Sequence, residues 1–243
     1  MTTIYETLKE ALAAEQPVAL ATVVGGAGKV GAKLLVRPDA PAIGGLGDAA
    51  LDADVSRDAL AMLARAESET RVYPTPAGEV QVFVETYPPP PTMFIVGAVH
   101  IAIPLVTFAK TLGFRTVVID ARGAFATPER FSHADELIHA WPDEVLPGRL
   151  NSNSMVVLLT HDPKLDDPAL MVALPSPARY VGALGSPKTH AARLERLRAA
   201  GVPEEQLARL HAPIGLKIGG RTPEEIAVSI IAEVVACRHG LTK

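Results

Sequence analysis

Met93-Phe94-Ile95-Val96-Gly97-Ala98-Val99-His100-Ile101-Ala102, residues 93–102, is the stretch whose reading decides the fold. Its apolar opening reads as a strand, Gly97 as a tight turn, and residues 100–112 as a helix closed by Gly113. The next strand spans 116–119 and ends at Asp120; further apolar strands span 155–159 and 180–183, each followed by a helical stretch. Strands bare of polar residues, alternating with helices, predict a parallel sheet covered on both faces, a Rossmann-like α/β domain. A dinucleotide fold asks for glycine at the turn, glycine where backbone meets phosphate, and a small residue where helix meets strand. Gly97 and Ala102 meet the first and third demands, but Val99 stands at the second and its branched side chain crowds a pyrophosphate. Asp120 occupies the place where an acid commonly holds a ribose hydroxyl. The pattern signals architecture more strongly than NAD(P) binding, and retained binding of a phosphate-bearing ligand stays open.

The other loops leaving the strands carry the remaining chemistry. Thr160-His161-Asp162 lies at a strand's carboxyl end, where ligands of open α/β sheets bind. His161 can meet an anion or move a proton; the alternative is that Asp162 merely caps the next turn. Gly182-Ala183-Leu184-Gly185-Ser186-Pro187-Lys188-Thr189 is again strand, turn and helix. Ser186 is placed as the cap and Pro187 as the first helical residue, so free amides with Lys188 and Thr189 suit an anion. Arg193, Arg196 and Arg198 follow on that helix and are expected to form a solvated face. The loop His211-Ala212-Pro213-Ile214-Gly215-Leu216-Lys217-Ile218-Gly219-Gly220-Arg221-Thr222-Pro223 is long for a compact domain, which favours a functional loop over a plain crossing. It leads into a final helix over 224–237. No nucleophile-elbow or metal-ligand motif appears, so no catalytic or metal-binding residue is assigned.

Upstream, Ile4, Leu8 and Leu12 mark a short amphipathic helix, and strands are expected over 18–24, 32–36 and 80–84. Gly44 to Asp48 reads as a turn, with Asp48 capping a helix that runs to about Arg65. Pro88-Pro89-Pro90-Pro91 can join neither a helix nor a central strand, and reads as a semi-rigid linker. The expected organisation is a small α+β domain over 1–87, a linker over 88–91 and the Rossmann-like domain over 92–243. With 48% apolar and 21% charged residues the chain can build ordinary cores, and a net charge of −4 gives no general attraction to nucleic acid. No apolar run approaches the roughly 20 residues of a membrane span, the first ten residues lack a signal peptide's apolar run, and the lone Cys237 excludes an internal disulfide. A soluble, cytoplasmic protein is expected.

The stretch from Tyr180 through THAARLERLRAAG to HAPIGLKIGGRTPEEIAVSIIAEVVA closely resembles the xanthine dehydrogenase accessory family, XdhC/CoxI. GAVHIA, Asp120-Ala121-Arg122 and THDPKLDDPAL are similar to the same family in the same order, and the first domain resembles its smaller domain more loosely. The resemblance implies a chaperone rather than a metabolic enzyme. Such a chaperone holds the molybdenum cofactor (molybdopterin) while the terminal sulfur is acquired, and passes it to an apo molybdenum hydroxylase of the xanthine or CO dehydrogenase type. Cofactor contacts would then fall at Gly97, Ala98, Val99, His100, Ala102, Asp120, Arg122, Thr160, His161, Asp162, Gly182, Gly185, Ser186, Lys188, Thr189, His211, Gly215 and Gly219. A cysteine desulfurase is a further implied partner, and a homodimer is left open. Two departures stand out: the Gly44–Asp48 turn lacks the cysteine that relatives often carry, and Val99 replaces a common glycine. An NAD(P)-linked oxidoreductase and a partner-binding scaffold with a relict pocket are the competing readings.

Overall fold

The computed structural model describes residues 3–241. They divide into two compact units, one ending at Pro89 and the other beginning at Pro90.

The first unit is an antiparallel sheet with helices. Helix α1 (Ile4–Ala13) opens on a capping box, in which Thr3 Oγ1 accepts from the Glu6 amide and Glu6 returns the bond. Strands β1 (Val18–Gly26), β2 (Lys33–Arg37) and β3 (Ala40–Gly45) precede α2 (Ala49–Arg65), and β4 (Glu69–Thr75) and β5 (Gly78–Tyr87) follow it. The sheet order is β3-β2-β1-β5-β4. Alternation along β1 explains the packing: Ala19, Ala21 and Val23 meet Val55, Ala59 and Met62 of α2, while Val18 and Leu20 pack with Ala11 and Leu35. Asp48 caps α2 by accepting from the Leu51 amide at 2.9 Å, as expected. The expected turn at Gly44 is in part a strand, β3, which pairs with β2 through Gly44 and Gly45.

The second unit is a parallel sheet of order β11-β10-β9-β6-β7-β8. Its elements are β6 (Thr92–Val96), α3 (Ala102–Thr111), β7 (Arg115–Ile119), α4 (Pro128–Phe131), β8 (Glu136–Ile138), α5 (Pro142–Val145), β9 (Ser154–Leu158), α6 (Pro163–Ala173), β10 (Tyr180–Ala183), α7 (Pro187–Ala199), α8 (Glu204–Leu207), β11 (Leu210–His211) and α9 (Pro223–Arg238). Both sheet faces are covered, which is why the strands carry no polar alternation. Leu105, Val106 and Ala109 of α3 pack with Ala227, Ile230 and Val234 of α9 over one face. Ala169, Leu170 and Ala173 of α6 and Leu197 of α7 cover the other. Helix α3 begins at Ala102, later than the expected His100, because residues 99–101 form a turn in which the Ala102 amide donates to Val99 O. The chain steps from β6 to β7 in one direction and from β9 to β10 in the other. The crevice outside β6 and β9 is therefore the topological switch point, where an open α/β sheet offers a ligand site.

One expectation about the surface is overturned. Arg196 and Arg198 are exposed, but Arg193 is 1% exposed. Its Nη2 donates to Asp166 Oδ2 at 2.9 Å and to Leu184 O at 3.0 Å. Arg193 and Leu197, four residues apart, form the inward stripe of α7.

Candidate functional site

A cleft of about 480 Å³ lies at the switch point, lined by Val99, Arg122 and the run Leu159, Thr160, His161, Asp162 and Pro163. Three strand ends build it. Gly97 turns the chain out of β6 at φ +107°, and an added methyl there would collide with Thr160 Cγ2. Beyond it, the amides of Val99, His100 and Ile101 make no hydrogen bond among the described residues. They stand at the start of α3, where the helix dipole favours negative charge.

Asp120 organises this rim from beneath. It is fully buried, its Oδ2 accepting from the Ala98 amide and Arg122 Nη2, both at 2.8 Å, and its Oδ1 from Arg122 N and Nε, both at 2.9 Å. Burial opposes its charge, but the Arg122 side-chain bonds and the Arg122 and Ala98 amides hold the carboxyl below the usual carboxylate range. A carboxylate so occupied has no exposed oxygen for a ribose, which corrects the role expected of Asp120. The group that faces the cleft is its partner Arg122, whose guanidinium also lies over the Phe125 ring at 4.5 Å.

On the other wall His161 is exposed, while Asp162 caps α6 by accepting from the Lys164 amide at 3.0 Å. Thr160 is buried and its hydroxyl bonds Asp166 Oδ1, so the cleft floor joins the Asp166–Arg193 pair. Burial raises the Asp166 carboxyl above its ordinary value despite the Thr160 and Arg193 contacts.

The remaining expected residues are elsewhere. Ala98 and Ala102 are buried in the core. Gly182 is also buried, because a methyl there would meet Tyr180 Oη at 2.6 Å and Ile214 Cδ1 at 2.7 Å. Gly185, Ser186, Lys188 and Thr189 form the turn into α7, one strand along from the switch-point cleft. His211 and Gly215 line a separate cleft of about 640 Å³ beside α9, and Gly219 a smaller one of about 190 Å³.

Glu233, which lines the α9 cleft, and the buried Tyr180 beside it are residues that local sequence offers no reason to select. Glu233 Oε2 accepts from Tyr180 Oη at 2.5 Å and from the Gly215 amide at 2.7 Å; its Oε1 lies 3.4 Å from His211 Nδ1. Although burial opposes ionisation, the His211, Tyr180 and Gly215 contacts keep this carboxyl below its ordinary value. The same burial, reinforced by Glu233, raises the Tyr180 phenol. The Tyr180 and His211 rings lie 4.6 Å apart.

With this geometry in place, comparison with known proteins is decisive at the level of family. The XdhC Rossmann domain matches residues 93–234, and the XdhC and CoxI family model matches residues 11–74. The chain belongs to the XdhC and CoxI family. A Bacillus subtilis relative, described as one of the subunits of a probable xanthine dehydrogenase, is 34% identical over 158 residues, 65% of this chain and 46% of that protein. The Escherichia coli "Molybdenum cofactor insertion chaperone PaoD" is 34% identical over 90 residues, 37% of this chain and 28% of that protein. The chain spans less than half the length of the curated relatives it matches. A crystal structure described as a xanthine dehydrogenase from Bacillus halodurans matches with a TM-score of 0.56 and 23% identity, covering 98% of this chain and 96% of that one. That likeness supports the fold alone.

Among the described residues no three His, Cys, Asp or Glu side chains converge to hold a metal ion, and no helix is long and apolar enough to cross a membrane. Cys237 lies on α9 with its thiol toward Arg179 O at 3.6 Å, and does not line the switch-point cleft.

Proposed function

We propose that this XdhC/CoxI member is an accessory protein that receives molybdenum cofactor in its switch-point cleft and assists its maturation and insertion into a xanthine dehydrogenase-type molybdenum hydroxylase. The cofactor is cargo here, handed on rather than turned over. The supporting observation is the cleft itself: open amides at the start of α3, the Arg122 guanidinium and the exposed His161 converge beside the apolar Val99 and Leu159. A flat pterin carrying an anionic tail needs that combination of an apolar wall and a few fixed donors. Kinship adds the direction, since one relative is named as an insertion chaperone for this cofactor. With no cysteine in the cleft, sulfur transfer would have to come from another protein. The oxidoreductase alternative gains no support from Asp120, because the carboxylate expected to hold the ribose 2′-hydroxyl of a dinucleotide is enclosed.

The test is uptake of molybdopterin by the purified chain, read from the fluorescence of the oxidised pterin. Arg122→Ala combined with His161→Ala is expected to weaken uptake about tenfold or more, as loss of charge-assisted bonds does. Uptake equal in the double variant, or no uptake together with no capture of a molybdenum hydroxylase, overturns the proposal.

A further inference from the structure

We propose that the turn between β10 and α7 is a second, separate site that binds the oxyanion of a phosphate group, with the unpartnered donors of the buried Arg193 as its side-chain anchor. The turn has the right donors. The amides of Gly185, Ser186 and Lys188 make no hydrogen bond among the described residues, while Ser186 Oγ accepts from the Thr189 amide at 3.1 Å and meets Thr189 Oγ1 at 2.9 Å. Thirteen residues of α7 stand behind them, so the helix dipole adds to the amides.

Arg193 is the independent observation that points to a ligand. Only its Nη2 is used, by Asp166 and Leu184; Nε and Nη1 are buried with no partner. Burying a donor without an acceptor is costly, so a structure that keeps two of them on one guanidinium calls for something to meet them. The direction is set by Gly185. At φ +152° it has no side chain where a Cβ would lie 3.7 Å from Arg193 Nη1 and 3.3 Å from Thr189 Cβ, which leaves Nη1 facing the turn. His190, one turn into the helix, also has a buried Nδ1 without a partner. Burial and the Arg193 charge hold its imidazole below its ordinary value, so it sits there neutral and can donate one hydrogen bond. Asp166 pairs with the single charge of Arg193, and an oxyanion at the turn would accept from the donors that Asp166 leaves unused. A tetrahedral oxyanion suits donors that arrive from amides, a hydroxyl and a guanidinium in different directions. Lys188, exposed on the rim, adds attraction without shape.

The site does not depend on what fills the switch-point cleft, and its test uses inorganic phosphate alone. Titration followed by calorimetry and by phosphorus NMR should show one phosphate taken up by the wild-type chain. Arg193→Lys keeps a cation for Asp166 but lacks the orphaned donors, and should weaken binding about tenfold. Gly185→Ala leaves the Arg193–Asp166 pair intact and places a methyl in front of Nη1, so it should weaken binding similarly and serves if the Arg193 variant fails to fold. Arg196→Gln removes an exposed charge paired with Asp167 and should change nothing. Parallel titrations with sulfate and with a sugar phosphate distinguish a bare oxyanion from a phosphate ester; tighter binding of the ester marks the anchored end of a larger ligand, and equal binding a free-phosphate site. No uptake at millimolar phosphate, equal affinity in wild type and Gly185→Ala, or an equal loss in Arg196→Gln overturns the proposal.

Discussion

The switch-point cleft and the α9 cleft solve one problem with different chemistry. In each, a carboxylate beneath a loop accepts a backbone amide of that loop: Asp120 takes Ala98 and Glu233 takes Gly215. In each, the basic partner of that carboxylate lines the cleft: Arg122 in one, His211 in the other. The difference lies in completeness. Asp120 is sealed and both its oxygens are saturated by its own rim, so Arg122 stands as a permanently charged fixture. Glu233 is less fully enclosed, and its Oε1 meets His211 Nδ1 only at 3.4 Å. A permanent cation over a closed strut suits holding an anionic guest, whereas the longer His211–Glu233 contact fixes its loop less tightly. Carboxylates conspicuous in a sequence can thus be scaffolding, with the ligand-facing group being the base they restrain.

The comparison is broken most severely by removing the sealed strut. Asp120→Ala leaves Arg122 and the Ala98 amide without their acceptor and should cost about 3–5 kcal/mol in denaturant unfolding. A loss under about 1 kcal/mol would show that the rim does not need its clamp. Glu233→Ala strands the Tyr180 hydroxyl and the Gly215 amide and should cost less, about 2–3 kcal/mol, because water can reach its cleft. Acid sharpens the contrast. Both carboxyls sit below their ordinary values when folded, so their contribution is fully present above about pH 5 and is lost as pH falls through the depressed values. Asp120→Asn and Glu233→Gln should each flatten the acid limb of stability, and an unchanged limb in both contradicts the pairing described. The smallest effect belongs to His161→Ala, which should alter stability by less than about 0.5 kcal/mol while reducing pterin uptake.

The strands at the centre of the parallel sheet are legible in the sequence because burial on both faces leaves an uninterrupted apolar run, as in β6, β7, β9 and β10. Strands at or near edges are not. β4 is mostly exposed and contains Pro74, β8 is three half-buried residues, and β11 is two residues long. Too few side chains enter the core there to impose a pattern. The cleft is partly legible: Val99, Arg122, Thr160, His161 and Asp162 do meet, since strand-end loops on adjacent strands must lie side by side. Glu233 escapes such a reading because its partners are Tyr180, 53 residues away, and Gly215, 18 away, and no local periodicity encodes such a pairing. Arg193 escapes it for a different reason: composition marks an arginine as solvated, although its spacing to Leu197 places it on the inner stripe.

Gly97 and Thr160 set one limit on reshaping the pocket. The turn at 97 admits no larger residue, since its left-handed backbone and the Thr160 methyl both forbid a side chain. Thr160 can be trimmed: serine keeps the hydroxyl that reaches Asp166 and gives up only the methyl. An engineer seeking to admit a bulkier cargo would therefore trim Thr160 or Val99 and leave Gly97 untouched.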